Sequence, residues 1–426
     1  MANIKAFKGL RFDTNVAGDI KSLCCPPYDI ISETQRLEYI ANNENNIIRL
    51  EKPCGDDAYC CAANTLRMWE DKGVLIREDK PALYIYEEEF TAYGERNAIK
   101  GLICCLKVEE FSKGIVLPHE FTLSKAKEDR LNLMKATNCN FSQIYGLYMD
   151  EDHTSLKTID EASDSAPDAQ FTDDEGITHR LWIVTNEAVI AKLVSDFDDR
   201  KIYIADGHHR YETALNYRNY CRENGISEEG DAQDYQMIFL CDMGHPGLVV
   251  FPTHRLVRDL DTFDKETVLS KCKEYFDIEA FATTEDMEKK LAQKDADGKK
   301  TFGFYTGNGQ WYQLTLKDLS VMDNLLPDMS AASRQLDVTV LHTLILENIF
   351  GIDKENMAAQ INLTYTKAFD EAISAVDTGC AQCSFVLNPT KVTEIRDVAS
   401  AGEKMPQKST YFYPKMITGM VMNKLN

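Results

Sequence analysis

Runs and periodicities of apolar residues divide this chain into short elements. Ile202, Tyr203, Ile204 and Ala205 form an apolar run suited to a buried strand, and Tyr211, Ala214 and Leu215 recur afterwards at helical spacing. The run and the stripe predict a strand, a turn at Gly207 and a helix start around Asp206-Gly207-His208-His209-Arg210. Upstream, Cys25-Pro26-Pro27-Tyr28-Asp29-Ile30-Ile31-Ser32 reads as a stiff extended segment whose Ser32 caps a helix beginning at Glu33. Residues 56 to 73 read as a helix with Ala58, Cys61, Ala62, Thr65, Leu66 and Trp69 on one face and Gly73 at its end. Residues 83 to 90 and 99 to 108 read as strands. An acidic stretch from 149 to 175 leads into a hairpin with strands near Phe171 and over 179 to 184, joined at Gly176.

A helix over 187 to 197 and strands over 236 to 241 and 247 to 251 complete a strand, helix, strand pattern, which favours an α/β arrangement, with α+β as the other possibility. Beyond residue 260 helical patterns take over, at 267 to 275, 284 to 293 and 338 to 350. The last carries Val338, Leu341, Leu344, Ile345 and Ile349 on one stripe and stops at Gly351. Two domains are therefore expected: a mixed α/β domain over 1–258 and a helix-rich α/β domain over 259–426, whose tail loop Lys408 to Lys415 returns towards the site.

The 426 residues, 44% of them hydrophobic and 27% charged, have the balance of a soluble globular protein. A formal net charge of −22 argues against nucleic acid or an anionic membrane as partner, so any cationic site must be local. The beginning of the chain lacks the pattern of a secretory signal and no stretch is long enough to span a bilayer, so a cytoplasmic location is expected. The 13 cysteines include the adjacent pairs 24–25, 60–61 and 104–105, and they read as reduced thiols.

Chemistry concentrates in a few places. A helix start presents unpaired N–H groups and the positive end of its dipole, and two imidazoles and a guanidinium in its first turn make a receptor for an anionic ligand. Asp206 has a plainer alternative as the N-cap of that helix. Pro118-His119-Glu120-Phe121-Thr122, with Lys125, Lys127, Asp129 and Arg130 and then Asn138, combines a possible base with cations and with hydroxyl and amide donors; its alternative is a solvated helix face with ion pairs such as Lys125 to Asp129. His254 and Arg255 follow an apolar strand, where open sheets place ligand-binding groups. Lys408, Ser409 and Thr410 offer an ammonium and two hydroxyls beside aromatics. A divalent metal on Asp206, His208, His209 and His254 is disfavoured, because side chains adjacent on a helix point apart.

The segments CCPPYDIIS, LPHEFTLSKAKEDRL, KATNCNFSQIYGLY, YIADGHHRYETAL, FPTHRLV, LDVTVLHTLILENIFGI and GEKMPQKSTYFYPK stand in order along the chain. On these, the chain resembles a bacterial and archaeal family of unknown function over nearly its whole length. The DGHHR turn, over about residues 185 to 220, is also similar to that of the ParB and sulfiredoxin superfamily, whose free serine kinases use it to bind nucleotide phosphates beside an acidic catalytic residue. That resemblance implies a ParB/sulfiredoxin-like mixed core and phosphate binding by Gly207, His208, His209 and Arg210. It implies a carboxylate role for Asp206 or for Glu120, the latter inferred from chemistry alone.

The expectation is a phosphotransferase acting on a small hydroxyl metabolite, free serine or phosphoserine, with Mg²⁺ and ADP or ATP. Glu120, Asp206 and His209 are its expected catalytic residues. Substrate contacts are expected from His119, Thr122, Lys125, Arg130, Asn138, His254, Arg255, Lys408, Ser409 and Thr410. The alternatives are a nucleotide-binding regulatory protein without catalysis and a metal-dependent hydrolase.

Overall fold

The apolar run at 202 to 205 is buried because it runs inside a sheet, between the parallel strand Val116–Leu117 and the antiparallel strand Ile144–Tyr148. A computed structural model of the protein describes residues 1–122 and 124–426. Among them, the mixed sheet continues through Tyr235–Asp242, Glu95–Lys107, Leu83–Ala92, Thr178–Val184 and Ala169–Thr172, with Ile4–Lys5 added beside Glu95–Lys107. The strand Tyr235–Asp242 runs parallel to Ile144–Tyr148 and antiparallel to Glu95–Lys107. Ile85, Leu102, Cys104, Ile144, Ile202, Ile204, Ile238 and Leu240 form its core with Tyr211, Ala214 and Leu215 of the helix His208–Glu223. The mixed α/β class is therefore observed.

Local chemistry explains several element boundaries. Ser32 accepts from the backbone N–H of Gln35 while the Gln35 side chain accepts from the Ser32 backbone, a reciprocal cap on the helix Glu33–Asn42. The hairpin Ala169–Thr172 to Thr178–Val184 turns through Gly176 at φ 81°. The helix Ala58–Asp71 buries Ala62, Leu66 and Trp69, at the expected spacing.

Chain contacts separate two compact units, one of residues 1–118, 122–249 and 414–426, the other of residues 119–121 and 250–413. The second unit is built on a six-stranded antiparallel sheet in the order Phe276–Phe281, Trp311–Leu316, Thr301–Tyr305, Cys383–Val386, His254–Val257, Leu363–Thr366. Helices Lys265–Cys272 and Thr284–Ala296 fall where helical periodicity predicts them. The stripe from 338 departs from a uniform α-helix: an α turn Asp337–Val340 leads into a π-helix Leu341–Glu347. Among the described residues, no helix is long and apolar enough to cross a membrane. All 13 cysteines carry free thiols.

One buried charge cluster in the first unit has a pH signature. His179, 1% exposed, meets the Tyr86 hydroxyl at 2.7 Å and Glu88 at 3.4 Å through Nδ1, and Asp173 at 3.2 Å through Nε2. Burial opposes protonation of the ring, but the hydrogen bonds to Asp173 and Glu88 outweigh it and raise the pKa to about 9. A raised folded-state pKa stabilises fully below the ordinary value of 6.5 and is lost as pH climbs through 9, by about 3 kcal/mol in all. Urea titrations at pH 6 and pH 9.5 should show this loss in the native chain and a much smaller one in His179→Gln.

Candidate functional site

The strand Ile202–Asp206 ends in a register shift against Ile144–Tyr148 between Ile204 and Asp206. Such an irregularity re-aims the residues after it. Gly207 then takes φ 87°, the left-handed conformation that an L side chain rarely adopts, and the helix His208–Glu223 begins at once, with the Tyr211 N–H donating to the Gly207 carbonyl at 3.0 Å. Gly207 occupies the N-cap position and brings no side-chain cap to the first turn. His208 is buried, at 3% exposure, and His209 half-buried.

Asp206 does not cap the helix. Its carboxylate accepts from Arg210 Nη2 at 2.9 Å and from Lys415 Nζ at 2.6 Å. Burial works to raise the pKa of this carboxyl, yet Lys415 and Arg210 outweigh it and hold the group well below the usual carboxylate range. Arg210 also donates to the Gln143 carbonyl. Its guanidinium is thus engaged on two sides by the protein itself, where the sequence places it as a freely presented phosphate ligand.

Behind the turn, Arg210 lines a small cavity with Glu51, Arg130, Ser142, Thr213 and Gln236. Glu51, 3% exposed, accepts from the Ser142 hydroxyl at 2.8 Å and lies 3.9 Å from Arg130 Nη1. Burial raises the Glu51 pKa, with Arg130 acting in the opposite direction. Arg130 donates to the Glu51 carbonyl at 2.6 Å and to Asp129, and its guanidinium stacks 4.1 Å from the Tyr28 ring. At about 40 Å³ this cavity holds a water and not a nucleotide.

The other expected site residues sort by unit. In the first, Thr122 Oγ1 and Lys127 Nζ both donate to Glu212 Oε2, at 2.8 and 2.6 Å, which ties the helix Ser124–Thr137 to the helix that carries the two histidines. Lys125 is exposed on that helix. Asn138, at φ 50°, donates to the Leu425 carbonyl and accepts from the Tyr217 hydroxyl, so it holds a turn together.

In the second unit, the His119 and Glu120 segment meets the tail loop. His119 Nε2 lies 3.1 Å from Thr410 Oγ1, and Glu120 Oε1 accepts from the Lys408 N–H at 3.3 Å. Ser409 Oγ donates to the Pro406 carbonyl. His254 Nδ1 accepts from the Leu387 N–H at 3.3 Å, and burial with the adjoining Arg255 charge lowers its pKa to about 4, so the ring is neutral. Arg255 donates to the Lys408 carbonyl at 3.1 Å.

Periodicity missed Lys415, Glu51, Gln143 and Glu212. Lys415 stands 209 positions from Asp206, and only the quoted tail segment that contains it offered a signal.

A family model described as a protein of unknown function, DUF1015, matches residues 4–339. The chain belongs to the DUF1015 family. A search of curated proteins found no match for this DUF1015 chain. Among solved structures, it is similar to a free serine kinase in complex with AMP, at TM-score 0.36 and 12% identity over 71% of this chain and 86% of that one. It is similar to a conserved hypothetical protein from Pyrococcus furiosus, at 0.34 and 13% over 73% and 93%. A third, SbnI with a C-terminal truncation from Staphylococcus aureus, overlaps at 0.35 and 9% over 74% and 85%. Superpositions this loose do not carry a fold or an activity to this DUF1015 chain.

Replacing Gly207 tests the turn directly. A Cβ there would lie 3.0 Å from Arg210 Nε and Nη2, on top of the cost of a positive φ. Gly207→Ala should destabilise the first unit by about 1–3 kcal/mol, read as a shift of the urea midpoint.

Proposed function

We propose that this DUF1015 protein is a cytosolic phosphotransferase. It receives a nucleotide phosphate at the turn 206–210 and moves a phosphoryl group to or from a small hydroxyl metabolite, for which free serine or phosphoserine is the proposed identity. One observation carries the reading: a buried strand feeds, through a left-handed glycine, a helix whose first turn bears His208 and His209. A helix start of this kind favours an anion through its N–H groups and dipole. The serine and the ParB/sulfiredoxin type of core rest on the DGHHR resemblance.

The roles follow from the contacts. The first-turn N–H groups, His208 and His209 bind the phosphate. Arg210 contributes positive charge from behind while it stays on Asp206 and Gln143. Asp206, held ionised by two cations, is a poor proton acceptor, since a useful base needs a pKa near the working pH. It acts as a positioning residue; Glu120 is kept as the proposed proton acceptor on its chemistry alone. A magnesium ion bound with the nucleotide would take most of its ligands from phosphate oxygens and water, and both Asp206 oxygens are already held by Arg210 and Lys415; no step is routed through the ion.

Calorimetric titration of the full chain with ADP and ATP, followed by a serine-dependent turnover assay, tests the reading. Saturable nucleotide binding that falls at least about tenfold in His209→Ala is expected. No binding of either nucleotide contradicts it. The lack of a free base at Asp206 favours one second reading, a nucleotide-binding regulator without catalysis; binding with no turnover under any hydroxyl substrate would select it.

A further inference from the structure

The second unit contains a cavity of about 470 Å³, within the range of small-molecule sites. One wall is a single face of the helical stretch from Asp337: Thr339, His342, Thr343 and Glu347. That stretch is a π-helix from Leu341 to Glu347, a rare form that is frequent at functional sites. Leu326, Met329 and Met357 supply apolar surface.

The polar wall is backed by an unusual charge. Arg255 is 0% exposed, and its donors go to the Thr253 and Lys408 carbonyls and to His342 Nε2 at 3.3 Å. Its guanidinium lies 5.4 Å from the ring of Tyr365, which also lines the cavity. Among the described residues no carboxylate pairs with it, and burial lowers its pKa to about 10. A buried cation without a counter-ion is costly unless an anion supplies the missing charge. His342 relays it. Its Nε2 accepts from Arg255, so the ring proton sits on Nδ1, and burial keeps the imidazole neutral. Thr339, 4% exposed on the same wall, has a hydroxyl with no hydrogen-bond partner among the described residues.

We infer that this cavity binds a monocarboxylate with an apolar body. The carboxylate is received by His342 and the Thr339 hydroxyl in the field of Arg255, and the hydrocarbon lies on Met329, Met357 and Leu326. Lys354, Lys404 and Glu347 also line the cavity, so the choice of a carboxylate rests on its two oxygens matching the two donors, the His342 Nδ1–H and the Thr339 hydroxyl, in front of the unpaired Arg255. The site lies apart in residues from the turn 206–210 and does not depend on the phosphotransferase reading.

Decanoate below its micelle concentration is the probe, titrated calorimetrically into the full chain with decanol and decyl phosphate as controls. Decanoate should bind at one site at least tenfold more tightly than either control. Thr339→Val, which removes only the orphan hydroxyl, should weaken decanoate at least threefold. Ala358→Trp, at an exposed lining position, should abolish binding. ADP affinity should stay unchanged in both variants. Equal affinity for decanol, tighter binding of decyl phosphate, indifference to Ala358→Trp, or no decanoate binding would each overturn the inference.

Discussion

Asp206→Ala is expected to destabilise the first unit by about 1–3 kcal/mol, the cost of removing the carboxylate shared by two half-buried cations. The substitution removes the carboxylate on which Arg210 and Lys415 meet, whose side chains are 11% and 15% exposed, while Arg210 keeps its bond to the Gln143 carbonyl. Asp206→Asn should cost less, because its amide oxygen still accepts from one of them. The pH dependence has a definite sign. A carboxyl with a depressed folded-state pKa stabilises fully above its ordinary value of 3.8 and loses that contribution as pH falls below it. Urea midpoints measured from pH 7 down to pH 3 should therefore fall in the native chain, with the Asp206 part of that fall missing in Asp206→Ala. A loss below about 1 kcal/mol at pH 7 would mean that this pair of contacts behaves as an exposed salt bridge.

The second large effect concerns turnover. Glu120→Gln keeps the size of the side chain and an oxygen for the Lys408 N–H, and on the proposed assignment of Glu120 as general base it removes the proton acceptor. Loss of a positioned general base lowers kcat by about 10²–10⁴. Nucleotide affinity should be unaffected, because phosphate binding is assigned to the turn 206–210. Steady-state kinetics with calorimetry on the same preparation separates the two quantities. A Glu120→Gln chain that turns over normally removes Glu120 from the chemistry.

The strand, glycine turn and helix at 202 to 223 were legible in sequence because each has a local cause: an apolar run, a glycine, a helical stripe. The same holds for the Ser32 cap and the Gly176 hairpin. The sheet of the second unit was not legible. Thr301–Tyr305 is buried at every position, a pattern that periodicity cannot assign to strand over helix. Phe276–Phe281 carries mostly exposed or half-exposed positions beyond its first residue. The strand His254–Val257, read from sequence with the first domain, pairs with Leu363–Thr366 and Cys383–Val386, partners more than a hundred positions away. Of the candidate site, residue types were readable and their engagements were not. Arg210 reads as a phosphate ligand until Gln143, Asp206 and Lys415 are seen around it, and Arg255 reads as a substrate contact beyond an apolar strand until its complete burial is known.

The central claim is that the first turn of the helix at His208 receives a nucleotide phosphate. Amide resonances of an ¹⁵N-labelled chain titrated with ADP test it most directly. Saturable shifts at His208, His209 and Arg210, lost in Gly207→Ala, are predicted. A titration that leaves those amides unmoved while ADP binds elsewhere, or that shows no binding, would contradict it.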